Sequence, residues 1–156
     1  FVLKGHSAGA HLVALLAAAP ERALRLGATP WLGTVSLDSA ALNVVAIMEG
    51  RHARLYDQAF GSDPKRWRAA SPFHQLDAAM APFLGVCSSR REDSCDQARA
   101  FTAQASRLGA RARVLPVDLS HGEINELLGK EPGYTAEVES FLIDLDASFG
   151  PALAAP

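Results

Sequence analysis

The most chemically pointed stretch of the chain is Gly5-His6-Ser7-Ala8-Gly9. A serine hydroxyl is a poor nucleophile until a base takes its proton, so it must face both a base and a substrate. The G-x-S-x-G spacing achieves this when a strand runs in and a helix runs out, which leaves the hydroxyl standing above the turn. Phe1 to Leu3 read as the end of a strand, and Ala8 to Ala19 read as an apolar helix stopped by Pro20. Glycines on both sides of Ser7 are expected because a Cβ at either place would crowd the turn. The Ala8 N–H then sits at a helix N-terminus, placed to donate to an oxyanion. Without a base, the same stretch is an ordinary glycine-rich turn or a phosphate-binding one.

Five histidines are available as the base. His121, in RVLPVDLSHGE, follows a strand and lies in a polar loop, where open α/β sheets keep their sites. His11 belongs to the serine's own helix, and His52 falls in a charged segment. His6 and His74, together with Trp67, are candidates for the substrate-binding wall, although each also reads as a packing residue. The base needs an orienting carboxylate, and the chain order for this chemistry is serine, acid, histidine. The loop CSSRREDSC offers Glu92 and Asp93, of which Asp93 is the choice. Asp38, just past the second strand, is its rival, and Asp96 falls inside a helix's first turn. Any of these also reads as a solvated charge or a helix-start residue.

The elements that must hold these groups are marked in the sequence. Gly33 to Leu37, Pro82 to Val86 and Arg113 to Val117 read as short strands. Ser94 to Leu108 reads as a helix with a capping box formed by Ser94 and Gln97, and with Gly109 as its stop. From Thr135 to Leu145, Val138, Phe141, Leu142 and Leu145 share one helical face. Residues 49–74 are charged and carry Tyr56, Phe60 and Trp67; they read as a cap-like excursion, with Trp67, Phe60 and Phe73 lining a pocket. Strand and helix alternate, which implies a parallel α/β sheet in one domain over residues 1–150, followed by a frayed tail at 151–156.

Composition agrees with a globular fold: 49% of the 156 residues are apolar and 21% charged. A net charge of −2 gives no electrostatic case for nucleic acid. No apolar run is long enough to span a membrane. The spacing of Cys87 and Cys95 does not match a paired zinc motif, and no metal or cofactor is called for.

Three stretches, GHSAGAHL, FGSDPKRWRAASPFHQLDAAMAPFLGV and QARAFTAQASRLGARARVLPVDLSHGEI, resemble the α/β-hydrolase superfamily in its esterase and kynurenine-formamidase-like branch. The resemblance runs from Phe1 to about Leu145. It implies the C-terminal half of an α/β-hydrolase fold, with a mostly parallel sheet flanked by helices. Earlier strands, and a His-Gly-Gly loop with the second oxyanion donor, would lie upstream. It further implies a triad of Ser7, Asp93 and His121, with Ala8 as an oxyanion donor and no cofactor. The reaction would be hydrolysis of a small-molecule carboxylic ester through an acyl-serine, or of an amide, as in an arylformamidase. In the family, His-Gly follows the acid-bearing strand and the acid comes shortly after. Here Cys87-Ser88 stand in that place, and a direct match puts Arg91 at the acid's position. The two cysteines bracket this loop, either as a disulfide pinning it or as two thiols. A non-catalytic hydrolase-like domain or an inert fragment is the reading of another class. An exposed first strand would also make the chain poorly soluble or a homo-oligomer.

Overall fold

The computed structural model describes residues 1–153. Four strands form one parallel sheet in the order β1-β2-β3-β4: β1 (Leu3–His6), β2 (Thr34–Leu37), β3 (Phe83–Ser88) and β4 (Ala112–Val117). Between β1 and β2 lie α1 (Ala8–Ala18) and α2 (Glu21–Leu24). The excursion between β2 and β3 is helical: α3 (Val44–Glu49), α4 (Arg54–Phe60), α5 (Pro64–Ala70) and α6 (Pro72–Gln75). Then come α7 (Glu92–Arg107) before β4, and α8 (His121–Glu126), α9 (Pro132–Leu145) and α10 (Phe149–Leu153) after it.

Sheet order equals chain order because successive crossovers of one hand step the chain sideways and leave their helices on one face. Phe83 and Cys87 point to that face, where they meet Ala14 and Ala17 of α1 and Ala98 and Phe101 of α7. Leu84 and Val86 alternate to the other face with Val35 and Leu37, against Ile124 of α8 and Tyr134, Val138 and Phe141 of α9. All residues of β2 and β3 are buried, as expected of central parallel strands covered on both sides. The rings of Phe83 and Phe101 meet edge-on at 4.9 Å, a contact of about 0.5–1.5 kcal/mol beyond burial. A third cluster lies in the excursion, where Ala41, Val44, Met48 and Phe60 pack with Trp67 and Tyr56.

Two helices start earlier than the sequence pattern implies, and a third forms where a loop was expected. α7 begins at Glu92, so Ser94 lies in its first turn and its hydroxyl donates to Asp38 instead of capping. Gln97 accepts from the Asn43 N–H at 2.6 Å, which ties α7 to the start of α3. The capping box occurs instead at Ser120 and Glu123, and it starts α8 within the expected loop. α9 begins at Pro132, with Glu131 accepting from the Gly133 and Tyr134 N–H groups. The tail is helical over α10 rather than frayed; the last part of it, 154–156, lies outside the described residues.

Cys87 and Cys95 form a disulfide, with Cα atoms 5.1 Å apart, joining the end of β3 to the first turn of α7. No helix among the described residues is long and apolar enough to cross a membrane.

Candidate active site

Each strand of the sheet delivers one polar group to its C-terminal end. Ser7 follows β1, Asp38 follows β2, Arg91 lies three residues beyond β3, and His121 opens α8 four residues beyond β4. Ser7 has φ 57°, a conformation costly for a residue with a Cβ, and it tops the tight turn into α1. Close approach explains Gly5, since a Cβ there would overlap the backbone of Gly9. The expectation for Gly9 is corrected: a Cβ there meets nothing within 4 Å among the described residues.

His121 Nε2 is 3.0 Å from Ser7 Oγ, and its Nδ1 is 2.6 Å from Asp38 Oδ2. With Nδ1–H donating to the carboxylate, Nε2 carries the lone pair that accepts from the serine hydroxyl. An imidazole in this tautomer can take the Ser7 proton while a buried carboxylate holds its ring.

Asp38 is the carboxylate at His121. Its side chain is 0% exposed and receives four donors. The Ser88 N–H (2.8 Å) and Ser94 Oγ–H (2.5 Å) reach Oδ1, while His121 Nδ1 and Arg91 Nη1 (2.6 Å) reach Oδ2. Burial acts to raise the Asp38 carboxyl, but hydrogen bonds from Ser94, Ser88 and His121 and the Arg91 charge together hold it below the ordinary carboxylate value. Asp38 itself has φ 56°, and its N–H donates to Val86 O at 2.8 Å.

Asp93, the carboxylate expected from the sequence, does not reach His121. Its side chain is 64% exposed on the first turn of α7, accepts from the Ser94 N–H, and lies 3.8 Å from Arg91 Nη2. The reason is the early start of α7, which winds Glu92 and Asp93 into a helix and leaves Arg91 as the residue of this loop that faces the histidine. Arg91 and Asp38 are the site residues the sequence reading did not choose. The direct family match that put Arg91 at the acid's position was the signal.

Beside Ser7 opens a cavity of about 440 Å³. Its polar side is Ser7, Asp38, Arg91 and His121, with Ala8 at the start of α1. Its apolar side is built from Leu12 of α1 and Leu55, Tyr56, Ala59 and Phe60 of α4. His11 also lines it, with Nδ1 donating to Ala41 O at 2.7 Å. Burial lowers the proton affinity of His11 more than this hydrogen bond raises it, which favours the neutral ring.

The three residues expected to bind substrate do not line this cavity. Trp67 packs in the excursion's own cluster and donates Nε1–H to Gly61 O at 2.8 Å. His74 pairs with Ser71 Oγ at 3.0 Å. His6 donates Nε2–H to the His121 carbonyl at 2.7 Å, and its ring lies 4.5 Å from the His121 ring. It therefore braces His121 from behind. Phe73 packs against the α1–α7 core, which leaves Phe60 as the expected aromatic lining found in place.

No protein-family model matches the chain, and no curated protein matches it in sequence. Solved structures do match in fold. Apo esterase 2 of Thermogutta terrifontis aligns with TM-score 0.68 and 20% identity over 99% of this chain and 57% of that one. Carboxyl esterase 2 of the mycorrhizal fungus Tuber melanosporum aligns with TM-score 0.68 and 21% identity over 95% of this chain and 54% of that one. The acylaminoacyl peptidase of Pyrococcus horikoshii aligns with TM-score 0.64 and 16% identity over 90% of this chain and 23% of that one. The chain thus has the α/β-hydrolase fold and spans little more than half the length of the esterases it matches, consistent with the C-terminal portion of that fold.

Proposed function

We propose that the chain carries the nucleophile, base and acid of a serine hydrolase acting on carboxylic esters. The observation that carries this reading is the hydrogen-bonded line from Ser7 Oγ through His121 to Asp38, opening onto a cavity with one apolar wall. Ser7 Oγ attacks the ester carbonyl carbon, and its proton moves to His121 Nε2. The carbonyl π pair becomes an oxyanion held in part by the Ala8 N–H at the positive end of α1. Collapse breaks the bond to the alcohol oxygen, which leaves with the proton from His121. Water, deprotonated by His121, then releases the acid from Ser7 by the same steps reversed. Asp38 keeps Nδ1 protonated throughout. The α4 wall of Leu55, Tyr56 and Phe60 receives an apolar acyl or alcohol group, and α3–α6 act as a cap.

The test is intact-mass analysis after exposure to a fluorophosphonate, with Ser7→Ala as the control. The fold relative from Thermogutta terrifontis has been seen phosphonylated by sarin, which is the same chemistry. A single adduct lost in Ser7→Ala is expected; an adduct retained in that variant, or none in the parent, refutes the reading. Turnover of an aryl ester against N-formylkynurenine then separates ester from amide cleavage, with the ester preferred.

A further inference from the structure

A cation in direct contact with both the acid and the base is the feature that the proposed reaction does not use. Arg91 Nη1 lies 2.6 Å from Asp38 Oδ2, the same oxygen that His121 Nδ1 contacts at 2.6 Å. The two nitrogens are 2.8 Å apart. Both are donors when Nδ1 carries its proton, so they share one acceptor and do not bond to each other. Arg91 keeps its charge at any working pH. Its side chain is 32% exposed and lines the cavity beside Ser7. The backbone beneath it is fixed: Arg91 N–H donates to Ser88 O at 3.0 Å, and the Cys87–Cys95 disulfide encloses the loop.

Building on the hydrolase reading, we propose that Arg91 is a positioning residue that acts through Asp38, dividing the carboxylate's charge so that His121 stays neutral, and able to accept the Ser7 proton, into more acidic conditions.

The argument is one of charge. With Arg91 present and His121 neutral, Asp38 and Arg91 cancel. When His121 takes the Ser7 proton, an imidazolium forms against Arg91 with only one buried carboxylate between two cations. The imidazolium is therefore held less tightly than it would be by Asp38 alone. That makes His121 a better proton donor to the leaving alcohol, and Arg91 adds positive potential beside the oxyanion. Other charges and titratable groups around His121 leave this balance in place. His6, from β1, meets the ring and uses its Nε2–H on the His121 carbonyl. Asp93, from α7, approaches Arg91 only at 3.8 Å from an exposed position, where solvent screens it. On the His121 helix itself, Glu123 is engaged by Arg90 at 3.2 Å. Tyr56 of α4 and Tyr134 of α9 carry phenols with proton affinities raised by burial, so they stay neutral.

The experiment is a pH titration of the histidine ring nitrogens by NMR on the parent, Arg91→Met and Arg91→Lys, with the His121 signal identified by its loss in His121→Asn. Fluorophosphonate labelling rates of Ser7 are measured over the same pH range. In Arg91→Met the His121 midpoint is expected to rise by about one pH unit, a tenfold gain in proton affinity. The acid limb of the labelling profile should move with it. Arg91→Lys keeps the charge and should titrate close to the parent, and it serves as the folded reference should Arg91→Met lose stability. A midpoint in Arg91→Met that is unchanged or lower overturns the proposal, as does a labelling rate reduced equally at all pH values, which is the mark of a purely structural residue. If the parent is never labelled, the hydrolase reading falls, and the NMR midpoints still decide whether Arg91 governs His121.

Discussion

Replacing Asp38 by asparagine separates the acid that the structure places at His121 from the one that the sequence favoured. Four donors converge on the Asp38 carboxylate, two on each oxygen. An amide has one acceptor oxygen and an NH2 group in place of the other, so two of the donors would face a donor. If the NH2 replaces Oδ2, His121 must surrender its Nδ1 proton. The proton then sits on Nε2, which can no longer accept from Ser7. Loss of the orienting carboxylate in this way costs about 10⁴-fold in rate, or about 5 kcal/mol of transition-state stabilisation at 1.36 kcal/mol per factor of ten. Each buried donor left unpaired costs about 1–3 kcal/mol of folding stability as well. Asp93→Asn is the control: its exposed side chain predicts a stability change within about 0.5 kcal/mol and an unaltered rate. The assay is the initial rate on an activated aryl ester, paired with the Ser7 labelling rate, on variants first matched for folded fraction by thermal melting. An active Asp38→Asn together with an inactive Asp93→Asn would refute the assignment and return the acid to the loop after β3.

Three further outcomes follow from the geometry. Gly5→Ala drives a Cβ into the Gly9 backbone and should cost about 1–3 kcal/mol or more in a denaturant titration; Gly9→Ala, in open space on a helix, should gain up to about 1 kcal/mol. Tyr134 donates its hydroxyl to Ile124 O at 2.9 Å and so ties α9 to the helix that begins at His121; Tyr134→Phe should lose about 1 kcal/mol in stability and slow Ser7 labelling. Asp38 has a lowered proton affinity in the folded state, so its contribution is complete above the ordinary aspartate value of about 3.9 and is lost as pH falls through the lower folded value. Melting temperatures between pH 6 and pH 2 should therefore fall more steeply in the parent than in Asp38→Asn.

Ser7 and His121 were legible because each signal is local: a strand, a turn and a helix around one, and a polar loop past a strand for the other. Three of the strands were legible for the same reason, as short apolar runs bounded by proline, glycine or charge; β1 lies later than the expected Phe1 to Leu3, over Leu3–His6, because its pairing with β2 runs on into the turn. The acid was not: Asp38 and Asp93 lie beyond successive strands, and the early start of α7, together with β2 lying beside β1, is what turns Asp38 and not Asp93 to the histidine. Ser94 and Gln97 have the spacing of a helix cap, but Asp38 and the Asn43 N–H engage them from 56 and 54 residues away. Ser120 and Glu123 carry the same pattern, and there the cap forms, with Glu123 Oε2 accepting from the Ser120 N–H and from Arg90 together. Trp67 looked like pocket lining because it is aromatic and lies in the excursion; the hydrogen bond to Gly61 O turns it into that segment's own packing.

A sheet whose spatial order repeats its chain order has a consequence for how the protein is made. As the polypeptide emerges during synthesis, each new strand adds to the edge left by the one before, so the sheet can extend in a single direction. Among the described strands, β1 leads into Ser7, β2 into Asp38, β3 towards Arg91 and β4 towards His121. Until β4 and the first turn of α8 have docked, the contact between Ser7 and His121 cannot form. A chain folded only as far as β3 therefore lacks that contact, and under the proposed function its serine stays unarmed until β4 joins the sheet.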